Sequence, residues 1–312
     1  MDMENKNIDV VCIGQAVIDC ITRGKEENLH KKNVYRAENI SLNTGGDAMN
    51  EAVLLSCLGH KVRLVCGIGT DLAGDLIRHM AGKFQMDMSY ITMDSSLTTP
   101  IANLMVEKDG SRQSVNSQAT MLTGYTPDSD VVRDAKIVSF ASLFRAPIDQ
   151  KDVILRLMKA AKEEGAIICA DTKMPTFREL VMEEIQEFLP YIDYMFPNEN
   201  EASYYTGIPV EGMESYKRMG EFFCQRGVKH TIIKAGKEGC VVTGKEEFFH
   251  IPARIVEAVD STGAGDNFVS GFIHGILNGW DIRKCAEFGT ECAAVSVQHM
   301  GAVTGIMKKY WK

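Results

Sequence analysis

From residue 135 onward, short apolar runs alternate with segments whose hydrophobic residues recur at helical spacing. The apolar runs predict strands at residues 137–143, 166–170, 194–196, 231–234, 240–243 and 248–252. The helical segments lie at residues 150–164, 177–188, 198–206 and 214–226. Because alternation of this kind places helices on both faces of a mostly parallel sheet, the sequence predicts a three-layer α/β fold.

The first part of the chain contains the same alternation and two segments that depart from it. Residues 8–14, 45–59 and 62–66 read as strand, helix and strand. Residues 20–43 are instead polar with short alternating pieces, and residues 99–115 predict a hairpin that turns at residues 109–110. We expect these parts, about 20–43 and 98–116, to form a small β-strand lid inserted in a single domain of residues 1–312.

Composition excludes several classes of function. The 312 residues include 34 basic and 42 acidic side chains, and the net charge of −8 argues against nucleic acid or an anionic membrane as the main partner. No apolar run approaches the roughly 20 residues that span a bilayer, and the N-terminus carries no apolar signal region. The nine cysteines show no CxxC spacing, and several lie inside apolar runs, namely Cys12, Cys66, Cys169 and Cys240. This usage predicts reduced thiols in a cytoplasmic protein and gives little support for a structural zinc site.

The most unusual stretch is a glycine-rich turn that opens a helix, DSTGAGDNF at residues 260–268. Gly263, Ala264 and Gly265 leave no bulky side chain over the first helical turn, so its unpaired N–H groups suit an anion. Asp266 follows directly, although a carboxylate beside a bound anion raises its own energy. Two interpretations are open: Asp266 complements the helix dipole, as acidic residues in a first turn usually do, or it takes part in catalysis.

Polar residues also follow several predicted strand ends, which is where ligands of α/β proteins collect. Asp19 lies shortly after the first strand. Asp47 and Asn50 are three residues apart and hence neighbours on the first turn of the next helix. Asn198 and Glu201 start a later helix, and they either cap it or lie near a metal–phosphate complex, since Mg²⁺ takes oxygen ligands.

Three basic residues follow strand ends in the same way. Lys234 is either a surface lysine with a buried stem or a contact to phosphate. Arg145 and Lys173 are either solvent-facing loop cations or partners of an anionic substrate group, such as a sugar-acid carboxylate.

Two common nucleotide fingerprints do not fit. The run from Gly67 has Leu72 where a dinucleotide site needs glycine, and a second run with P-loop spacing has Glu246 where serine or threonine is required.

Five segments, in order, resemble the ribokinase-like family, also called the phosphofructokinase B family of carbohydrate kinases. They are GGDAMNEA at residues 45–52, GTDLAG at 69–74, NENE at 198–201, KAGKEG at 234–239 and DSTGAGD at 260–266. The resemblance covers roughly residues 8–305. It implies a ribokinase-like fold with a β lid, and ATP-dependent phosphorylation of a hydroxymethyl group on a sugar or related polyol.

The resemblance also implies a role for each candidate residue. Asp266 would be the general base, beside an anion hole formed by the N–H groups of Gly263, Ala264 and Gly265. The substrate would contact Asp19, Gly45, Gly46, Asp47 and Asn50, with Arg145 and Lys173 near any anionic group. The nucleotide would contact Asn198, Lys234, Gly236, Gly239 and Thr262, and Glu201 would organise Mg²⁺ indirectly. A K⁺ ion would lie near Asp260, Thr262, Ser296 and Gly301.

The acceptor is less narrowly implied than the reaction. An aspartate at position 47 resembles the residue that 2-keto-3-deoxygluconate kinases have there. Residues 141–145 (ASLFR), in contrast, lack the substrate-binding glutamate of ribokinases. We therefore expect a sugar or sugar acid that is 2-keto-3-deoxygluconate-like, fructose-like or ribose-like. The alternatives are a nucleoside kinase of the same fold and a non-catalytic sugar or nucleotide sensor. Because lids in this family often pair, a homodimer through the lid is also expected.

Overall fold

The computed structural model describes residues 6–24, 36–106, 112–117, 126–145, 148–175 and 179–311. Its strands are β1 (Ile8–Ile13), β2 (Val17–Arg23), β3 (Asn39–Gly45), β4 (Val62–Gly69), β5 (Ile91–Asp94), β6 (Ile101–Val106), β7 (Arg112–Asn116), β8 (Ala135–Leu143), β9 (Ile167–Thr172), β10 (Tyr194–Met195), β11 (His230–Lys234), β12 (Cys240–Gly244) and β13 (Phe248–Ile251). Its helices are α1 (Asp47–Cys57), α2 (Leu72–Lys83), α3 (Lys151–Glu163), α4 (Met182–Ile185), α5 (Glu199–Thr206), α6 (Met213–Cys224), α7 (Ala264–Leu277), α8 (Ile282–Val297) and α9 (Thr304–Tyr310).

The central sheet has the strand order β13-β12-β11-β10-β9-β8-β1-β4-β5 within the described residues. From β5 to β11 every neighbouring pair is parallel, and β12 and β13 complete the sheet as antiparallel strands. The predicted, mostly parallel sheet is therefore confirmed. Neighbouring strands end at the same edge of such a sheet, so residues that are distant in sequence meet there.

Helices cover both faces of this sheet, as the alternation of side chains along β1 shows. Val11 and Ile13 pack into a core that includes residues of α3 and α6, such as Leu157 and Met219. Val10 and Cys12 point the other way, into a core with residues of α1 and α7. Because both faces of the strands are buried, they read as continuous apolar runs, and the three-layer architecture is confirmed.

A smaller sheet has the order β3-β2-β6-β7. β2 pairs with β3 and β6 with β7 in antiparallel fashion, whereas β2 and β6 run parallel. The two segments predicted to form strands outside the main sheet do so. The predicted turn at residues 109–110 lies outside the described residues, as do residues 25–35.

Some element predictions were wrong or incomplete. A helix was predicted over residues 177–188, but within the described residues 179–188 only the single turn α4 is helical. A 3-10 turn, Leu189–Tyr191, follows, and Pro190 within it prevents an α-helix from continuing past this point. Strand β5 and helices α8 and α9 were not predicted from the sequence. Helix α8 packs closely on α7, where a Cβ on Gly271 would lie 3.0 Å from Gly289 Cα.

Candidate active site

The predicted site residues meet where the strand ends face the first turns of α1 and α7. Asp47 and Asn50 lie on α1, and Asp266 lies on α7. Lys173 directly follows β9, and Lys234 is the last residue of β11. Side-chain contacts link these five residues, through Asp171, into one network. The order of the strands accounts for this meeting, since β9 and β11 are separated in the sheet only by β10.

The glycine-rich turn has the open N-terminus that its composition predicts. Gly263 adopts a left-handed conformation (φ 73°) immediately before α7, and a Cβ there would lie 2.4 Å from Ala302 Cβ. Only glycine fits this position without a shift of its neighbours. Ala264 and Gly265 then form the first residues of α7, so small residues surround the N–H groups at the start of the helix. The Ala264 N–H makes a long hydrogen bond of 3.3 Å to the carbonyl of Ser261.

Asp260 anchors this turn from its N-terminal side. Its Oδ1 accepts hydrogen bonds from the Thr262 N–H (2.9 Å) and hydroxyl (2.6 Å), and its Oδ2 accepts one from the Gly301 N–H (2.9 Å). The Asp260 N–H donates to the carbonyl of Val297, the residue after Ser296. Three of the four residues predicted to surround a K⁺ ion, Asp260, Thr262 and Gly301, are therefore in direct contact, and Ser296 is adjacent in the chain to Val297. Their oxygen atoms are the donor type that such a cation needs.

Asp266 is buried, with 5% of its surface exposed. Its Oδ2 accepts a hydrogen bond of 2.8 Å from Asn50 Nδ2, and its Oδ1 lies 3.2 Å from Lys173 Nζ. Burial raises the pKa of Asp266 to about 6, against the smaller opposing effects of Lys173 and Asn50. A carboxylate with this pKa is ionised at neutral pH and is basic enough to accept a proton from a bound group.

Lys173 lies among three carboxylates. Its Nζ is 2.9 Å from Asp171 Oδ2, 3.2 Å from Asp266 Oδ1 and 3.4 Å from Asp47 Oδ1. Burial acts to lower the pKa of Lys173, but these carboxylates, Asp171 most of all, raise it well above its usual value. Lys173 is therefore a permanent cation whose charge is already compensated by the protein.

Asp47 and Asp19 line the side of the site that faces β2 and β3. The Ser142 hydroxyl donates to Asp47 Oδ2 at 2.8 Å. Burial tends to raise the pKa of Asp47, but Lys173 and the nearby guanidinium of Arg145 bring it below its usual value. Asp19 is buried against Gly45, where a Cβ would lie 2.1 Å from Asp19 Oδ2.

Gly46 is also fixed by its surroundings, because it has φ 89° and a Cβ there would lie 2.5 Å from the carbonyl oxygen of Gln15. Arg145 follows β8 after Phe144, a buried non-glycine residue with φ 76°. Such a conformation is costly and persists only where surrounding contacts enforce it. The Nε of Arg145 is buried and has no hydrogen-bond partner among the described residues.

The nucleotide-side candidates lie at the ends of β10 and β11. Asn198 Oδ1 accepts a hydrogen bond from the Glu201 N–H, and Glu201 Oε2 accepts one from the Asn198 N–H, both at 2.9 Å. This reciprocal pair is a capping box, so the two residues cap the helix as one interpretation predicted. The Thr172 hydroxyl also donates to Glu201 Oε2 at 3.2 Å. Gly236 and Gly239 form the turn between β11 and β12 with φ of 50° and 96°.

Oxygen donors at Asn198 and Glu201 fit a Mg²⁺ ion that is held mainly by phosphates and water. The described ranges contain no group of three or more His, Cys, Asp or Glu placed to hold a metal ion by themselves. When bound, Mg²⁺ neutralises charge on the nucleotide phosphates. Burial raises the pKa of Glu201, and the positive charge of the nearby Lys234 opposes that rise. The Lys234 Nζ also lies 3.2 Å from where a Cβ on Gly265 would be.

Asp171 and Ser142 belong to this network but were not predicted from the sequence. Asp171 is fully buried, and its two oxygens pair with Lys173 and Lys234. The signal that was available is an acidic residue near the end of an otherwise apolar strand, Ile167–Thr172. Ser142 is fully buried at the end of β8 and orients Asp47. Serine in an apolar strand gives no comparable signal.

An open helix N-terminus beside a buried carboxylate and two lysines has the groups that phosphoryl transfer to an alcohol needs. The chain belongs to the pfkB family of carbohydrate kinases, whose family model matches residues 7–309. Members of the family are ATP-dependent kinases of sugars or nucleosides, and this chain is one of them. Among the helices of the described segments, none has both the length and the apolar character needed to cross a membrane.

Three relatives illustrate this family membership. The chain is 22% identical over 311 residues to an ATP-dependent 6-phosphofructokinase of Thermoanaerobacterium thermosaccharolyticum. The aligned region covers 97% of this chain and 92% of that protein. It is 26% identical to a ribokinase of Haemophilus influenzae over 86% of each chain. The solved structure of Arabidopsis thaliana ribokinase complexed with ribose and ATP superimposes with a TM-score of 0.82 at 24% identity, covering 96% of this chain and 98% of that one. This likeness shows that the fold is shared.

Proposed function

We propose that this kinase transfers the γ-phosphoryl group of ATP to a hydroxymethyl group of a sugar or sugar acid, with Asp266 as the general base. The observation that carries the proposal is the place of Asp266. It is a buried carboxylate with a pKa of about 6, three residues after the left-handed Gly263 that opens the helix N-terminus. The acceptor hydroxyl and the phosphate can therefore be bound next to each other.

Each part of the turn has a separate task in this proposal. The N–H groups of Gly263, Ala264 and Gly265 hold the negative charge that develops on the transferred phosphoryl group. Asp266 orients the acceptor hydroxyl and takes its proton, a contribution of about 10²–10⁴-fold in rate. Asn50 fixes the orientation of Asp266 through its hydrogen bond.

The nucleotide phosphates lie on the side of Lys234 in this proposal. Lys234, Asn198 and the turn with Gly236 and Gly239 contact the phosphates, while Glu201 orients the water around Mg²⁺. Thr262 contacts the nucleotide from the turn itself. Asp260, Thr262, Ser296 and Gly301 would hold a K⁺ ion, which would supply positive charge near the turn. The Asp260 carboxylate, which accepts hydrogen bonds from the N–H groups of Thr262 and Gly301, supports this assignment because its oxygens are the ligand type that a hard cation takes.

The acceptor binds on the side of Asp19, Asp47 and Asn50, whose oxygen and nitrogen atoms match sugar hydroxyls. The free Nε of Arg145 favours a sugar acid over a neutral sugar within the proposed class, because a buried guanidinium N–H gains most from an anionic partner. Lys173 is the weaker candidate for this task, since three carboxylates already surround it.

The small sheet serves as a lid over the acceptor in this proposal, and it also supplies a surface for a second copy of the chain. Strand register places four exposed apolar side chains on the face opposite Asp19, namely Ile40, Leu42, Ile101 and Val115. Closure of a lid excludes water and limits wasteful hydrolysis of ATP. The cysteine usage supports a cytoplasmic site of action.

A coupled assay of ATP consumption tests the proposal. The panel contains D-ribose, D-fructose, 2-keto-3-deoxygluconate and adenosine as a nucleoside. We expect the highest kcat/KM with the sugar acid, and turnover that needs the acceptor. Preference for adenosine over all three sugars would assign the chain to the nucleoside kinases instead. ATP consumption that no acceptor stimulates would contradict the proposed role of the acceptor pocket.

A further inference from the structure

Asp171 links the two halves of the site, although the proposed roles assign it to neither substrate. The residue is fully buried near the end of β9. Its Oδ1 pairs with the ammonium group of Lys234, and its Oδ2 lies 2.9 Å from Lys173 Nζ. One carboxylate therefore serves a lysine on the nucleotide side and a lysine on the acceptor side.

We propose that Asp171 is a positioning residue that couples nucleotide binding to acceptor binding by sharing its charge between Lys173 and Lys234. The assignment of a nucleotide side and an acceptor side rests on the proposed function. The coupling itself rests on the contacts of these three side chains.

Nucleotide binding acts first on Lys234. Its Nζ lies 3.2 Å from the position of a Cβ on Gly265, so it overlies the turn where phosphate is expected. A bound phosphate attracts this ammonium group and weakens its pairing with Asp171. Asp171 then interacts more strongly with Lys173, because a buried carboxylate needs a compensating charge.

The effect continues to the acceptor side because Lys173 is shared. A stronger pairing with Asp171 weakens the contacts of Lys173 with Asp266 (3.2 Å) and Asp47 (3.4 Å). These two carboxylates can then accept hydrogen bonds from acceptor hydroxyls. In the opposite direction, an acceptor on Asp47 and Asp266 releases Lys173 toward Asp171 and so frees Lys234 for phosphate. Linkage requires the two directions to be equal in free energy.

The coupling can be measured without an acceptor. Isothermal titration calorimetry with the non-hydrolysable ATP analogue AMP-PNP is carried out on the full chain and on three variants, Asp47→Asn, Asp171→Asn and the double variant. Neutralising Asp47 removes one competitor for Lys173, so we expect AMP-PNP to bind more tightly. The long-range loss of negative charge contributes equally in both backgrounds, and the double-mutant cycle cancels it.

We expect the gain in affinity from Asp47→Asn to be at least about 3-fold larger in the native background than in the Asp171→Asn background. Equal gains in the two backgrounds would overturn the coupling. The cycle is repeated without Mg²⁺ in EDTA. The inequality, that is, the larger affinity gain from Asp47→Asn in the native background than in the Asp171→Asn background, should persist there. An inequality that disappears without Mg²⁺ would make Asp171 a metal-organising residue and also overturn the proposal.

Lys173→Met provides a second version of the test if Asp171→Asn does not fold. This variant removes the link between Asp47 and Asp171. The gain in AMP-PNP affinity from Asp47→Asn should therefore be smaller in the Lys173→Met background than in the native one, as in the Asp171→Asn background. Retention of the full effect would contradict the proposal. No acceptor enters these titrations, so their result is independent of which acceptor, if any, the ATP-consumption assay identifies.

Discussion

Asn50 Nδ2 donates a hydrogen bond of 2.8 Å to Asp266 Oδ2, joining two residues that are 216 positions apart in the chain. The bond connects the first turn of α1 to the first turn of α7. Both residues are buried, so the amide holds the carboxylate in one orientation away from water. The two glycine-rich motifs of the sequence thus meet at a single pair of side chains.

Replacement of Asn50 by alanine should remove this support from Asp266. A hydrogen bond to a charged group contributes roughly 1.5–3 kcal/mol, so we expect kcat/KM to fall by about 10- to 100-fold. The acid limb of the pH profile should also move to higher pH, because the Asn50 hydrogen bond lowers the pKa of Asp266. Asn278→Ala, at the exposed far end of α7, serves as the control and should leave kcat/KM nearly unchanged. Equal effects of the two replacements would contradict the contact.

Activity should depend on the ionisation of Asp266. Burial raises the pKa of this carboxyl to about 6, so its protonated form persists to a higher pH than in an ordinary aspartate. Because the base must be ionised, kcat/KM should be flat above about pH 7 and fall about tenfold per pH unit below about pH 6. A profile recorded with saturating Mg-ATP tests this expectation. Constant kcat/KM down to about pH 4.5 would contradict it.

Replacing Gly263 or Gly265 of the turn by alanine should affect different properties of the protein, its stability in the first case and its nucleotide affinity in the second. Gly263→Ala forces φ 73° on a residue with a Cβ and places that atom 2.4 Å from Ala302 Cβ. We expect a loss of at least about 1–2 kcal/mol in the free energy of unfolding. Gly265→Ala instead brings a methyl group to 3.2 Å from Lys234 Nζ, a flexible side-chain end.

Gly265→Ala should therefore keep the stability of the native chain and weaken binding of AMP-PNP. Urea unfolding measures the first quantity and calorimetry the second. A Gly263→Ala variant as stable as the native chain would contradict the strained turn. Undiminished nucleotide affinity in Gly265→Ala would contradict the place assigned to the phosphate.

Arg145→Gln should change the choice of acceptor. Loss of a charge-assisted contact costs several kcal/mol at most, so kcat/KM for 2-keto-3-deoxygluconate should fall by roughly 10- to 100-fold. D-Fructose and D-ribose lack the carboxylate, so their kcat/KM should stay within about twofold of the native value. Arg218→Gln, an exposed position on α6, is the matched control. A uniform loss across all three acceptors would assign Arg145 a structural task instead.

Sequence alone predicted the fold well because the apolar runs of a doubly covered sheet are distinctive. The same approach predicted a helix over residues 177–188 where the described part has only α4, because the spacing of apolar residues does not fix where helical hydrogen bonding begins and ends. Residues inside motifs, such as Asp266, were predicted as site candidates. Asp171 was not, because its meaning depends on the strand order that places it between Lys173 and Lys234.

The central claim is that Asp266 acts as the base, and Asp266→Asn tests it most directly. Asparagine preserves the shape of the side chain but cannot accept the proton of the acceptor. We expect kcat to fall by about 10²–10⁴-fold while AMP-PNP affinity stays within about threefold of the native value. Turnover close to the native rate in a variant that binds the nucleotide normally would contradict the mechanism.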